Sequence, residues 1–369
     1  MITLMQQWCY SGSRCRRLSF AAAFVLGLCL TACTGASAID EAQRVVESTT
    51  TTSVSLPPSS TTIDIPDTPT TTISQGAVAN PLHSIDADLD GALLGFSTAL
   101  NTKDRAPRFR QIETDAGRRY DIGHVFHAWD KAIPTDDDLM HLDEDRLLMI
   151  SWNGTDTKQI AAGAHDDWIR TQAQAVRDLQ DQVLLRWLWE MDGNRRAGWV
   201  HSGADYVAAW LHIRAIFDET GADNAQFVWC PNEFLFWDGG DPDAWYPGDE
   251  NVDWLCADGY NWATTVNSPE WASLTDIFGD FVAWAAPRNL PIMIGETGVA
   301  EAEPGAKAAW LREFPAMLRT ELREVDAVVY FDKDFTEFGH QDWQVDTSPE
   351  SYEAWLEMSN DPYMNPLGR

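Results

Sequence analysis

Two glutamates each close a short apolar run and are followed by a glycine a few residues later. Glu190 ends the run that begins at Val183, and Glu296 ends the run that begins at Leu290. Apolar runs of this length are typical of buried strands, which would place both carboxyl groups at strand ends. Two such groups can cleave a glycosidic bond, because one protonates the leaving oxygen while the other attacks the sugar or activates water.

Arg186 lies inside the first run, and Tyr260 ends another apolar run. Period-two alternation predicts two faces for the first run: Arg186, Leu188 and Glu190 on one, and Leu185, Trp187 and Trp189 on the other. We expect Arg186 and Tyr260 to hold Glu296 ionised, and apolar neighbours to keep Glu190 protonated. A simpler alternative is that Glu190 only pairs with Arg186 or a nearby lysine.

The rest of the chain from residue 82 to residue 369 reads as strands alternating with helices. The predicted strands are 91–98, 120–129, 146–152, 183–190, 226–231, 252–260, 290–295 and 326–331. The predicted helices are 104–114, 166–179 capped by Asp166, 203–220 ending at Gly221, 274–286 and 306–322. This pattern predicts an α/β fold, a single (β/α)8 barrel, in which all strand ends meet at one mouth.

Residues 1–32 have the features of an export signal, with three arginines, no acidic residue and an apolar core at 20–30. They end in Leu-Thr-Ala before Cys33, which looks like a bacterial lipobox, so Cys33 would carry a lipid. An ordinary cleaved signal and an uncleaved anchor are the alternatives. Residues 33–81 are rich in Thr, Ser and Pro, which predicts a disordered linker to an extracytoplasmic, lipid-anchored domain.

The net charge of -31 disfavours nucleic acid and anionic lipid headgroups as partners, and favours a neutral substrate. The chain has 18 tryptophans, and flat aromatic faces are surfaces on which sugar rings stack. Seven of them lie at or beyond predicted strand ends: Trp129, Trp152, Trp199, Trp237, Trp245, Trp262 and Trp343. Core packing is the alternative for any one of them.

Three motifs give the chain a resemblance to glycoside hydrolase family 26, over about residues 94–359: 185–193, 246–261 and 291–296. Known members are mostly endo-β-1,4-mannanases, with some xylanases and β-glucanases. The resemblance implies that Glu190 is the general acid/base, that Glu296 is the nucleophile and that Tyr260 hydrogen-bonds Glu296. It also implies retention of configuration, with the carboxyl groups about 5 to 5.5 Å apart.

Two positions depart from the family pattern, since Trp189 stands where well-studied members carry histidine, and Asp192 where they carry asparagine. That histidine helps to form the site around the sugar, so the departure bears on which sugar is bound. Mannan is the leading substrate among β-linked polysaccharides, cleaved internally. The candidate substrate contacts lie at or just after predicted strand ends: His127, Trp152, Trp189, Asn232, Trp262, Asp332 and Trp343.

Other functions remain open at this point. One is a non-catalytic, glycan-binding surface lipoprotein on the same barrel, and another is a hydrolase of xylan, β-glucan or envelope glycan. The sequence predicts no cofactor, no metal and a monomer. Cys230 and Cys256 lie on neighbouring predicted strands, where a disulfide and two buried free thiols are both compatible with the sequence.

Overall fold

Eight parallel strands close into a barrel, and their order around the barrel is their order along the chain. They are β1 (Leu93–Ser97), β2 (Ile122–His127), β3 (Leu147–Trp152), β4 (Val183–Trp187), β5 (Ala225–Trp229), β6 (Trp254–Asp258), β7 (Ile292–Thr297) and β8 (Val325–Phe331). This computed structural model describes residues 89–98, 102–193, 198–263, 271–336 and 341–369. The predicted signal, Cys33 and the linker lie outside the described residues.

Helices follow the strands along the chain. They are α1 (Thr102–Ala116), α2 (Leu139–Asp143), α3 (Thr157–Ala161), α4 (Asp166–Leu179), α5 (Gly203–Thr220), α6 (Leu274–Ala285), α7 (Ala306–Thr320) and α8 (Pro349–Ser359). The predicted (β/α)8 barrel is confirmed. Of the helices described, none combines the length and the apolar character that crossing a membrane requires.

The two faces of the strands bury two separate apolar clusters. One fills the barrel with side chains from every strand, including Leu93, Met149, Leu184 and Met293. The other joins the outward faces of the strands to the helices. Alternation along each strand therefore decides whether a side chain near the mouth points toward the barrel axis or back under a helix.

The helix ends test two details of the prediction. Gly221 ends α5 in a left-handed conformation with φ of 72°, as expected. The prediction that Asp166 caps α4 is wrong, because His165 occupies the cap position and Asp166 lies in the first turn. Its carboxylate instead accepts a hydrogen bond from Nε2 of His212 at 2.7 Å. The short α2 and α3 and the terminal α8 were not predicted.

Candidate active site

The segment after β4 turns sharply. Leu188 and Glu190 both have positive φ, at 45° and 52°, a conformation that non-glycine residues rarely adopt. The backbone N–H of Leu188 donates to the carbonyl of Trp152 at 2.9 Å, and that of Glu190 donates to the carbonyl of Cys230 at 2.8 Å. Glu190 is therefore fixed between the ends of β3 and β5, in a strained conformation of the kind that concentrates at functional sites.

This turn reverses the predicted faces at two residues. Leu188 packs in the outer cluster, and Trp189 packs inside the barrel, opposite to the alternation expected from the strand pattern. The ring centroids of Trp189 and Phe126 lie 5.4 Å apart. The guanidinium carbon of Arg186 lies 5.4 Å from the ring centroid of Trp189. The alternation fails because β4 ends at Trp187, before these residues.

Glu296 lies in β7, fully buried, with both carboxyl oxygens hydrogen-bonded. Arg186 donates from Nη2 to Oε1. The hydroxyl of Tyr260 donates to Oε2 at 2.6 Å. The structure thus brings Arg186 and Tyr260 onto Glu296, the two contacts that the sequence analysis expected.

Arg186 is shared between two buried carboxyl groups. Its Nη1 donates to both oxygens of Asp258, at 2.7 and 2.8 Å, while Nη2 bonds Glu296. Its Nε donates to the hydroxyl of Ser151 at 2.7 Å, and Ser151 contacts Nε2 of His124 at 2.7 Å. Sequence reasoning missed Asp258, although it closes an apolar strand in the same manner as the two glutamates.

The pKa of Glu296 is shifted in the direction opposite to the one expected from its contacts with Arg186 and Tyr260. Burial raises the pKa of the Glu296 carboxyl above its ordinary value, outweighing the opposing effects of Arg186 and Tyr260. Burial also raises the pKa of Asp258, to well above its ordinary value. One guanidinium serves both carboxyl groups, so it cannot balance the charges of Glu296 and Asp258 when both are ionised.

Glu190 also lies in this site. It is 5% exposed, and a negative charge on Glu190 raises the pKa of Glu296 and of Asp258. The two glutamates are thus near enough to interact electrostatically, while the separation of about 5 to 5.5 Å that retention requires stays a prediction.

Two further carboxyl groups stand near Glu190. Burial, with a smaller contribution from a negative charge on Glu190, raises the pKa of Asp192 to about 7 and that of Glu233 to about 8. Oδ1 of Asp192 accepts hydrogen bonds from the backbone and side-chain nitrogens of Asn232, both at 3.0 Å. At neutral pH the acid/base candidate therefore has one neighbour that is about half ionised, Asp192, and one that is mostly protonated, Glu233. Asp192 also holds Asn232.

Substrate contact stays a prediction for Trp152 and Trp189. Both side chains are fully buried, so neither offers a surface to a ligand in this structure. Trp152 is the last residue of β3 and points outward, where its ring stacks on Trp129 with centroids 4.5 Å apart. Packing therefore explains this pair of tryptophans.

His127 and Asp332 are buried as well, and both have partners within the protein. Nε2 of His127 lies 2.7 Å from Oδ2 of Asp138, on the outward face of β2. Asp332 is fully buried and accepts two hydrogen bonds from Arg108, at 2.9 and 3.0 Å. Substrate contact by either side chain stays a prediction, since both are engaged in these pairs.

Trp262 and Trp343 do lie beside the glutamate site. The ring centroid of Trp343 is 4.8 Å from that of Tyr260 and 5.0 Å from that of Trp262. Trp262 is half-buried, whereas Trp343 is only 3% exposed. Trp262 and the half-buried Asn232 are therefore the predicted contacts that keep a substantial surface for a ligand.

Cys230 and Cys256 are joined by a disulfide, with their Cα atoms 4.4 Å apart. Within the described ranges, these sulfurs and Asp258 form the only grouping of His, Cys, Asp or Glu close enough to hold a metal ion. Sulfurs joined to each other cannot act as thiolate ligands, so the residues present do not form a metal centre.

A closed (β/α)8 barrel with one glutamate just beyond β4 and another in β7 is the arrangement of barrel enzymes that use a pair of carboxyl groups. Residues 141–311 match the model of glycosyl hydrolase family 26. The chain belongs to this family.

Comparisons with individual proteins agree with this assignment. Endoglucanase H of Acetivibrio thermocellus is 32% identical over 263 residues, which are 68% of this chain and 28% of that protein. A β-1,3-xylanase of a Vibrio species is 28% identical over 152 residues, covering 41% of this chain and 30% of the relative. This chain therefore spans less than a third of the length of either curated relative.

The fold is also shared with solved structures. The β-mannanase of Bacteroides ovatus, described as a family 26 enzyme, superimposes with a TM-score of 0.53 at 16% identity. The superposition covers 74% of this chain and 90% of that structure. An endo-β-1,4-mannanase of Cellulomonas fimi gives a TM-score of 0.53 at 14% identity, over 74% of this chain and 71% of that one.

Proposed function

We propose that the chain is a retaining, endo-acting glycoside hydrolase that cleaves a β-linked polysaccharide. One observation carries the proposal: Glu296 lies at a strand end, oriented through both oxygens by Arg186 and Tyr260, in the same site as Glu190. A purely structural glutamate would need only one charged partner, whereas a nucleophile must be held in one orientation.

In the first step, Glu296 attacks the anomeric carbon while Glu190 gives its proton to the glycosidic oxygen. The bond between that carbon and that oxygen breaks, and a covalent glycosyl ester of Glu296 forms. Glu190, now a carboxylate, then takes a proton from water, and the water oxygen attacks the anomeric carbon. This releases Glu296 and returns the configuration of the substrate.

The two hydrogen bonds to Glu296 serve this cycle. The charge of Arg186 favours the carboxylate that must attack, and the phenol of Tyr260 fixes Oε2 so that the attacking oxygen is defined. Glu296 is therefore active although burial raises its pKa.

Mannan is the leading substrate in this proposal, because the motifs of residues 185–193, 246–261 and 291–296 resemble a family composed mostly of mannanases. A β-glucan is the second candidate, since the 32% identical relative is an endoglucanase. The buried Trp189 supports a substrate site that differs from that of the family members with histidine.

Location is part of the proposal. The arginines and apolar core of residues 1–32, followed by Cys33, support export and attachment by a lipid. The mature chain would then act outside the cytoplasm as a lipid-anchored monomer. Replacing Cys33 by Ala should abolish the incorporation of labelled palmitate into the protein, and a Cys33→Ala variant that is still labelled would contradict the anchor.

The test uses purified protein lacking residues 1–32 on mannan, β-glucan, xylan and envelope glycan. We expect hydrolysis of one β-glycan, and Glu296→Ala should lower kcat by about four orders of magnitude or more. Azide should restore Glu296→Ala with an inverted glycosyl azide, and Glu190→Ala with a retained one. If every glycan is bound and none is cleaved, the protein is the glycan-binding alternative.

A further inference from the structure

Lys307 is a buried cation that the proposed reaction does not use. It lies in the first turn of α7 and is 0% exposed. Its Nζ donates hydrogen bonds to the backbone carbonyls of Asp342 and Gln344, at 3.1 and 2.8 Å. These carbonyls flank Trp343, so one ammonium group holds the main chain on both sides of that tryptophan.

Burial disfavours the charge of this ammonium, and nearby carboxyl groups offset part of that cost. Burial lowers the pKa of Lys307 to about 8, while the carboxyl groups of Asp342 and Glu301 oppose the fall. Near neutral pH the group is mostly protonated and can donate three hydrogen bonds. A buried cation is expensive to maintain, which argues that its position is used.

Trp343 is held at its own backbone as well. Its N–H donates to the carbonyl of Lys333 at 2.9 Å, and its carbonyl accepts from the hydroxyl of Tyr330 at 2.9 Å. The main chain from residue 342 to residue 344 therefore has four hydrogen bonds to other parts of the barrel. A tryptophan fixed in this way can hold a neighbouring ring in position.

Trp343 packs against Tyr260. The ring centroid of Trp343 lies 4.8 Å from that of Tyr260, and the Tyr260 hydroxyl is the donor to Oε2 of Glu296. Gly298 lets the rings approach, because a Cβ there would lie 3.3 Å from the Trp343 ring and 3.4 Å from the Tyr260 ring. The contacts thus run from Lys307 through Trp343 and Tyr260 to Glu296.

We propose that Lys307 is a positioning residue for the reaction: its ammonium fixes Trp343, which holds the Tyr260 phenol on Glu296. The inference rests on the proposed function, because it assigns Lys307 an effect on the nucleophile. It extends that function to a residue that touches neither the substrate nor Glu296.

The main test replaces Lys307 by Met, which keeps length and apolar contact but donates no hydrogen bond. The substrate is a soluble β-1,4-mannooligosaccharide or β-1,4-glucooligosaccharide, whichever the parent cleaves. The value of kcat is divided by the number of sites that a 2-deoxy-2-fluoroglycoside traps, so that unfolded protein does not count. We expect Lys307→Met to lower kcat per site about tenfold to a hundredfold, with a smaller change in KM.

A double-mutant cycle with Trp343→Ala separates positioning from a general structural role. If Lys307 acts through Trp343, Lys307→Met should change kcat less than about twofold in the Trp343→Ala background. The matched control is Lys158→Met, since Lys158 is a largely exposed lysine paired with Asp205 at 3.7 Å. We expect this control to keep the parent kcat.

If Lys307→Met does not fold, Tyr330→Phe replaces it in the test. This change removes only the hydroxyl that donates to the carbonyl of Trp343. It too should lower kcat per site, and its effect should also vanish beside Trp343→Ala. An unchanged kcat per site in a folded Lys307→Met protein would overturn the inference. So would an equal loss in the parent and Trp343→Ala backgrounds.

Amide hydrogen exchange keeps this inference distinct from the proposed function. Exchange in residues 341–346 should be faster in Lys307→Met than in the parent, while exchange in α5 stays the same. If the parent cleaves no glycan, the proposed function fails, and faster exchange would still support the hold of Lys307 on Trp343. Unchanged exchange would overturn that hold whatever the activity.

Discussion

The phenol of Tyr260 donates a hydrogen bond to Oε2 of Glu296 across 2.6 Å, from just beyond the strand next to the one that carries the glutamate. This contact joins the sixth and seventh strands at the mouth of the barrel. It stabilises the carboxylate form of Glu296, so it lowers a pKa that burial otherwise raises. The reactivity of the site should therefore depend on one hydroxyl group.

Replacing Tyr260 by Phe removes that hydroxyl and keeps the ring. The pKa of Glu296 should then rise, so the acidic limb of the kcat/KM profile should move to higher pH, and kcat should fall by about tenfold to a hundredfold. A pH–rate profile from pH 4 to pH 9 measures both effects. Tyr352→Phe is the matched control, because Tyr352 donates to Oδ2 of Asp115 at 2.6 Å on the surface. A Tyr260→Phe profile that overlays the parent profile would refute the role of the phenol.

Replacing Arg186 by Met should destabilise the fold by about 3–5 kcal/mol at neutral pH, because two buried carboxyl groups lose their shared cation. Asp258→Asn should cost less, because it removes one of the two carboxyl groups and leaves Arg186 paired with Glu296. Urea unfolding at pH 7 compares the two variants. The loss in Arg186→Met should shrink at pH 4.5, where the remaining carboxyl groups are more fully protonated. Equal losses for the two variants at pH 7 would contradict the role of Arg186 as the shared cation of both carboxyl groups.

The barrel could be predicted because each strand is an apolar run between helical patterns, and Glu190 and Glu296 stand out because they close two such runs. The orientation of Trp189 could not be predicted, since nothing in the sequence marks Leu188 and Glu190 as left-handed. Side chains at strand ends are equally ambiguous. Trp152 ends β3 on the outward face, and a shift of one residue would have turned it to the mouth. Asp258 was within reach of the sequence pattern.

Trp262 and Trp152 together test which side chains near the strand ends face the mouth of the barrel. Trp262 is half-buried beside Trp343 at the mouth, so Trp262→Ala should lower kcat/KM, mainly through KM, with little change in stability. Trp152 is fully buried, so Trp152→Ala should cost about 3–5 kcal/mol of unfolding free energy and leave KM of the folded protein unchanged. Substrate titrations and thermal unfolding of both variants separate the effects. A raised KM in Trp152→Ala would support its predicted role in binding.

Asp192 gives the stability of the protein a pH dependence whose sign can be worked out. Burial of its carboxyl raises the pKa to about 7 in the folded protein, above the ordinary value of 3.8. The folded state then holds the proton more tightly than the unfolded state, so the favourable contribution is full below about pH 4 and is lost as the pH rises through 7.

Asp192→Asn carries no titrating proton and keeps the shape that Asn232 contacts. Its stability relative to the parent should rise between pH 4.5 and pH 8 by about 2 kcal/mol, allowing for partial contact with solvent. Urea unfolding at pH 4.5, 6 and 8 measures this difference, with Asp178→Asn on the exposed end of α4 as the control. A difference that does not change with pH would show that Asp192 ionises at its ordinary pKa in the folded protein.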